Sequence, residues 1–262
     1  MVQTESQSTE LHWQSIGEGK DLVLLHGWGM NGAVWQQTAE VLSQHFRVHI
    51  VDLPGFGHSH HTSFQTLDDL TEQVLAHAPE QAIWLGWSLG GLVASHIALH
   101  HPARIHGLIT VASSPCFSAK KPWRGIQPKV LKAFSAQLME DFQLTIERFI
   151  ALQAMGSPSA RQDLKALKQA VLSRPAPNQQ ALLAGLQLLA DVDYRDQLQH
   201  VCTPTLHMYG RLDGLVPIQV AEDVSSLMPS SQSFVFSQSS HAPFMTELDS
   251  FCQQVTEFAY LK

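Results

Sequence analysis

The chain has 262 residues, 44% hydrophobic and 15% charged, which is enough apolar material for one sizeable core and leaves no compositional case for disorder. A net charge of −7 excludes nucleic acid as the main partner, since proteins that bind it present basic surfaces. The first ten residues, M-V-Q-T-E-S-Q-S-T-E, have neither the basic nor the apolar part of an export leader, and no later run is long enough to span a bilayer, so a cytoplasmic, membrane-free protein is expected.

In chain order, short apolar runs alternate with helical patterns, the signature of an α/β protein whose mostly parallel sheet carries helices on both faces. Strands are expected at 22–25, 48–51, 82–85, 107–111, 205–209 and 233–236. Between them, 34–42, 67–76 and 89–100 have the apolar spacing of helices laid on such a sheet. From about 114 to 190 the strand signal stops. That stretch is helical, interrupted at Pro122, Pro128, Gly156-Ser157-Pro158 and Pro175-Ala176-Pro177. The chain thus divides into a core of residues 1–113 and 191–262 with a helical cap inserted at 114–190. The three cysteines, Cys116, Cys202 and Cys252, are an odd and widely spaced set, expected to be buried thiols rather than disulfides or zinc ligands.

Chemistry enters at Gly86-Trp87-Ser88-Leu89-Gly90. This matches G-x-S-x-G, in which a sharp strand-to-helix turn exposes a serine hydroxyl and small residues relieve crowding around a strained backbone. The apolar run before it and the helical pattern after it supply the required context. A serine hydroxyl is a poor nucleophile until a histidine removes its proton and a carboxylate orients that histidine. Both partners are expected downstream, acid before histidine. Asp213 lies in the loop Gly210-Arg211-Leu212-Asp213-Gly214 that leaves one strand, and His241 in the loop Ser239-Ser240-His241-Ala242-Pro243 that leaves the next. Ser88, Asp213 and His241 are therefore the expected nucleophile, orienting acid and general base. The oxyanion needs amide donors, and the backbone N–H groups of Leu89 and of Trp28, in His26-Gly27-Trp28-Gly29, are the candidates. The clustered His58, His60 and His61, and the pair His96 and His100, which lacks the accompanying glutamate of a metalloprotease helix, read as solvated surface histidines rather than metal ligands. Neither metal nor cofactor is expected.

Together L-H-G-W-G, V-D-L-P-G-F-G-H-S, G-W-S-L-G-G and S-H-A-P-F resemble the α/β-hydrolase family from end to end. More specific stretches, V-A-S-S-P-C-F-S-A at 111–119, E-R-F-I-A-L-Q-A-M-G at 147–156 and Y-G-R-L-D-G-L-V-P at 209–217, are similar to the branch that hydrolyses the methyl ester at the far end of a pimeloyl chain on acyl carrier protein, in biotin synthesis. That resemblance implies Ser88, Asp213 and His241 as the triad, Trp28 and Leu89 at the oxyanion, and Phe149 against the acyl chain. It also implies Arg148, Arg161 and Lys165 as contacts to the carrier, the protein working as a monomer. At Leu144 and Lys165 the family pattern has arginine, so neither position offers a bidentate guanidinium.

Charge distribution points the same way. Residues 118–175 hold ten of the 16 Lys and Arg against four acids, net +6, and the rest of the chain carries −13. A basic cap on an acidic body suits an acidic partner with a phosphorylated arm. Two other readings remain open on sequence: a general short-chain carboxylesterase with an incidental basic cap, and a non-catalytic ligand-binding protein of the same fold.

Overall fold

The computed structural model describes residues 10–260; the first nine residues, on which the expectation of no export leader rests, lie outside them. Among the described residues seven strands form one sheet: β1 (Trp13–Ile16), β2 (Lys20–Leu25), β3 (Phe46–Val51), β4 (Ala82–Trp87), β5 (Ile105–Val111), β6 (Thr205–Gly210) and β7 (Gln232–Phe236). Their spatial order is β1-β3-β2-β4-β5-β6-β7, with β1 antiparallel to β3 and every other pair parallel. All six residues of β4 are buried, as expected of a central strand covered on both faces.

Among the described residues ten α-helices accompany the sheet: α1 (Gln36–Leu42), α2 (Leu67–Leu75), α3 (Leu89–His100), α4 (Pro128–Glu140), α5 (Phe142–Ala154), α6 (Ala160–Leu172), α7 (Gln179–Asp191), α8 (Gln219–Leu227), α9 (Pro243–Thr246) and α10 (Leu248–Tyr260). Side chains alternate across a strand, and on β4 that alternation separates two layers. A Cβ on Gly86 would point into Gly90 of α3, whereas the neighbouring Trp87 packs edge-on against Phe244 of α9, ring centroids 5.0 Å apart. Helices therefore cover both faces, α3 on one and α9 on the other.

Local chemistry sets the helix ends. The Thr66 hydroxyl accepts the Asp69 N–H to start α2, Pro128 occupies the first turn of α4, and the Asp141 and Asn178 side chains cap α5 and α7. The expected helix at 34–42 divides in two: Gly32–Trp35 is a 3-10 turn capped by Asn31, and α1 starts only at Gln36. Helices α4 to α7 lie in sequence between β5 and β6.

Two expectations are corrected. His96 is buried, not solvated: α3 is enclosed from Leu89 to Ala98, and the His96 ring sits 2.5 Å from the Tyr194 hydroxyl and 3.0 Å from Asp68 Oδ1. Cys202 is exposed in the segment leading into β6, while Cys116 and Cys252 are buried. Among the described residues no helix is long and apolar enough to cross a membrane.

Candidate active site

The chain runs from β2 out to β3 and returns to place β4 on the other side of β2. The loops leaving β2 and β4 therefore diverge at the carboxyl edge of the sheet, where open α/β sheets gather functional groups. Ser88 stands between β4 and α3 at φ 54° and ψ −115°, a left-handed conformation that an L-residue adopts only under constraint. The constraint is visible: the Ser88 N–H donates to Val111 O at 2.9 Å, and its carbonyl accepts from Gly91 N–H and from the Ser113 hydroxyl. Glycine is required at two positions of this turn. A Cβ on Gly86 would lie 2.1 Å from Gly90 O, and one on Gly90 would lie 2.5 Å from Leu25 O.

His241 and Asp213 come together from the loops after β7 and β6. His241 Nδ1 donates to Asp213 Oδ2 at 2.7 Å, and both side chains are almost fully buried. The other Asp213 oxygen accepts the Leu215 and Val216 N–H groups at 2.7 and 3.0 Å, which fixes the carboxylate in place. The histidine backbone is held as firmly, its carbonyl accepting from Trp87 Nε1 at 2.7 Å and its N–H donating to Gln153 O at 3.2 Å. Beneath it, Trp87, Trp35 and Phe244 form an aromatic floor, each ring pair contributing about 0.5–1.5 kcal/mol beyond its buried area. His241 Nε2 is buried with no hydrogen-bond partner among the described residues, and Ser88, the residue after Trp87, is itself only 3% exposed.

The loop after β2 approaches the serine closely, since a Cβ on Gly27 would lie 3.3 Å from Ser88 Cβ. Leu89, the first residue of α3, has an N–H with no acceptor within its helix, and Trp28 lies in the β2 loop. Trp28 donates from Nε1 to Leu182 O on α7 at 2.8 Å and meets Phe149 of α5 edge-on at 4.7 Å. Gly185 of α7 admits both candidate residues: a Cβ there would stand 2.6 Å from the Trp28 ring and 3.5 Å from Leu89 Cδ2. His26 braces this loop. Burial pushes its ring down to about 4, so near neutral pH it is uncharged, with Nδ1 donating to Gly27 O and Nε2 accepting from Leu53 N–H.

Ser88, Asp213, His241, Trp28, Leu89 and Phe149 are thus gathered at one place, whereas Arg148, Arg161 and Lys165 are exposed on α5 and α6. None of these three makes an ion pair among the described residues. Not every cap charge is so available: Lys120, Arg124 and Arg174 pair with Asp193, Asp223 and Asp52, and Lys168 pairs with Glu147. Among the described residues no group of three or more His, Cys, Asp or Glu stands together as a metal site. Sequence reasoning missed Gln153, whose backbone touches His241, and the buried Asp52. Burial raises the Asp52 carboxyl, but His26, the Arg174 guanidinium and the Gly32 N–H outweigh it and hold it below the usual carboxylate value. The D-L-P-G motif contained Asp52, but its partner at position 174 left no mark in the sequence.

An α/β fold with a serine at such a turn defines an α/β hydrolase, and residues 21–248 match the family described as alpha/beta hydrolase fold. Pimeloyl-[acyl-carrier protein] methyl ester esterases from Vibrio cholerae and Vibrio parahaemolyticus are 67% and 68% identical, over 95% and 96% of this chain and 98% and 99% of theirs. The chain belongs to that esterase family. Among solved structures, an esterase from Exiguobacterium antarcticum superposes with a TM-score of 0.83 at 22% identity, over 95% of this chain and 94% of that one, a likeness of fold.

Proposed function

We propose that this protein is a serine carboxylesterase that hydrolyses the methyl ester of a pimeloyl chain carried on acyl carrier protein, releasing methanol and leaving a free carboxylate on the carrier-bound chain. The observation that carries the chemistry is the buried His241–Asp213 pair, 2.7 Å apart and tied through Trp87 to the turn bearing Ser88. Ser88 Oγ attacks the ester carbonyl while His241 Nε2 takes its proton, and Asp213 holds the ring in the tautomer this requires. The Leu89 and Trp28 amides receive the negative oxygen of the tetrahedral intermediate. His241 then protonates the departing methoxide, and water clears the acyl-enzyme by the reverse proton traffic. Phe149, packed on Trp28, lines the path of the acyl chain.

The carrier enters from the printed names of the relatives, and the exposed Arg148, Arg161 and Lys165 on the cap at 114–190 support it. Cations free of local partners suit an acidic protein bearing a phosphodiester-linked arm. A fluorophosphonate followed by intact-mass analysis tests the nucleophile. One adduct should form on the native chain and none on Ser88→Ala; an adduct on the folded variant would overturn the assignment.

A further inference from the structure

The loop carrying Trp28 is held from above by the cap at each end. At one end Trp28 Nε1 donates to Leu182 O of α7 at 2.8 Å. At the other, Asn31 Nδ2 donates to the carbonyls of Ala170 and Val171 at 3.3 and 3.2 Å, the last turn of α6. Immediately beyond, Asp52 Oδ1 accepts from both the Gly32 N–H and Arg174 Nη1 at 2.6 Å, and Asp52 Oδ2 accepts the His58 N–H at 2.7 Å. Arg174 lies just past the Ser173 cap of α6, and the Arg174–Asp52 pair is buried, with side chains 9% and 0% exposed. Position 32 must be glycine for this to close, because a Cβ there would lie 2.6 Å from Ile50 Cγ2 and 3.1 Å from both Arg174 Nη1 and Asp52 Oδ1. One residue on from Asp52, the Leu53 N–H feeds His26, which holds Gly27 O.

We infer that Arg174, Asp52 and Asn31 form a clamp by which the C-terminal end of α6 sets the position of the oxyanion loop, making the cap a positioning part of the catalytic apparatus as well as a cover. The geometry requires more than ordinary packing to explain it. Polar contacts tie residues 31–32 to partners 20 to 140 residues away: the Asn31 side chain reaches two carbonyls of α6, and the Asp52 carboxylate is shared between the Gly32 amide and a cap arginine. An oxyanion donor works only where the developing charge will stand, and an error of about 1 Å costs on the order of a hundredfold in rate. Arg174 touches no reacting atom; it acts through Asp52 and Gly32. The inference rests on the reading of Trp28 as an oxyanion donor but not on the carrier substrate.

The test uses p-nitrophenyl acetate, so that failure of the carrier reading cannot affect it; an inactive native chain would count against the proposed function and not against the clamp. Variants Asn31→Ala, Arg174→Lys and Arg174→Met are compared, with Lys retaining the charge and Met abolishing it. Only variants with a cooperative unfolding transition above the assay temperature are read, and Asn31→Ala, which leaves the buried ion pair intact, secures at least one such protein. The clamp predicts a fall in kcat of about tenfold or more for Asn31→Ala and Arg174→Met, with KM within about twofold. Partial recovery in Arg174→Lys and an equal loss of fluorophosphonate labelling rate should accompany it. The shape of the kcat profile against pH should not change. Unchanged kcat in folded Asn31→Ala, or a loss that falls on KM, or a changed pH profile, would each overturn the inference.

Discussion

Replacing Ser88 by alanine and by glycine separates the chemistry of the hydroxyl from the strain of the turn that presents it. The Ser88 backbone, at φ 54° and ψ −115°, is held by its N–H to Val111 O and by two bonds to its carbonyl, none of which uses the side chain. Both variants keep those bonds and lose the nucleophile, so hydrolysis should fall in each by about a millionfold. Their stabilities should differ. Alanine retains the cost of a left-handed L-residue, about 1–3 kcal/mol, whereas glycine removes it and gives back about 0.5–1 kcal/mol through its freer unfolded chain. Ser88→Gly should therefore be the more stable by about 1 kcal/mol, or about 2–4 °C in Tm for a chain of this size. Thermal denaturation of both proteins beside a p-nitrophenyl ester assay makes the measurement. An alanine variant as stable as the glycine variant or more so would refute the strained turn, and turnover near the native rate in either would refute the nucleophile.

Asp213→Asn, which fits the same space but presents the wrong donor to His241, should lower kcat on the order of 10⁴-fold in steady-state assays with a cooperative unfolding transition retained. Reversing Arg148, Arg161 and Lys165 to glutamate should raise KM for a carrier-linked ester about tenfold or more and leave p-nitrophenyl acetate hydrolysis near wild type; equal losses on both would make the cap face structural. Stability should fall as pH drops from 6.5 toward 4, because burial pushes His26 and His207 down to about 4 while the unfolded chain takes up protons at the ordinary 6.5. The stabilisation is complete above 6.5 and lost below it at about 1.4 kcal/mol per pH unit per histidine, so urea titrations at pH 7.5 and 5 should differ by a few kcal/mol. A flat profile would contradict the burial of these rings.

What the sequence exposed and what it hid follow from distance along the chain. The five inner strands announce themselves as apolar runs because both faces are covered, and the mostly exposed edge strand β7 does so only through Phe234-Val235-Phe236, whereas β1 does not: Trp13–Ile16 is a mostly exposed edge strand with no such run. Ser88 was legible because its turn needs glycines within two residues of it, and Asp213 and His241 because each sits in the loop leaving a strand. His96 was misplaced because its four-residue spacing from His100 gives a helix face without saying what covers that face. The clamp was invisible for a related reason. Asn31 and Asp52 meet residues 170–174 across more than 120 positions, and no local pattern marks a buried ion pair whose halves lie in different layers.

The central claim, a Ser88 esterase selective for a carrier-borne methyl ester, is tested most directly by measuring kcat/KM for release of methanol from pimeloyl methyl ester on acyl carrier protein and from the same ester free in solution. Run side by side at low and high salt, the carrier-borne ester should be preferred by at least about tenfold at low salt, and that preference should shrink as salt screens Arg148, Arg161 and Lys165. Equal kcat/KM for the two esters, unaffected by salt, would contradict it.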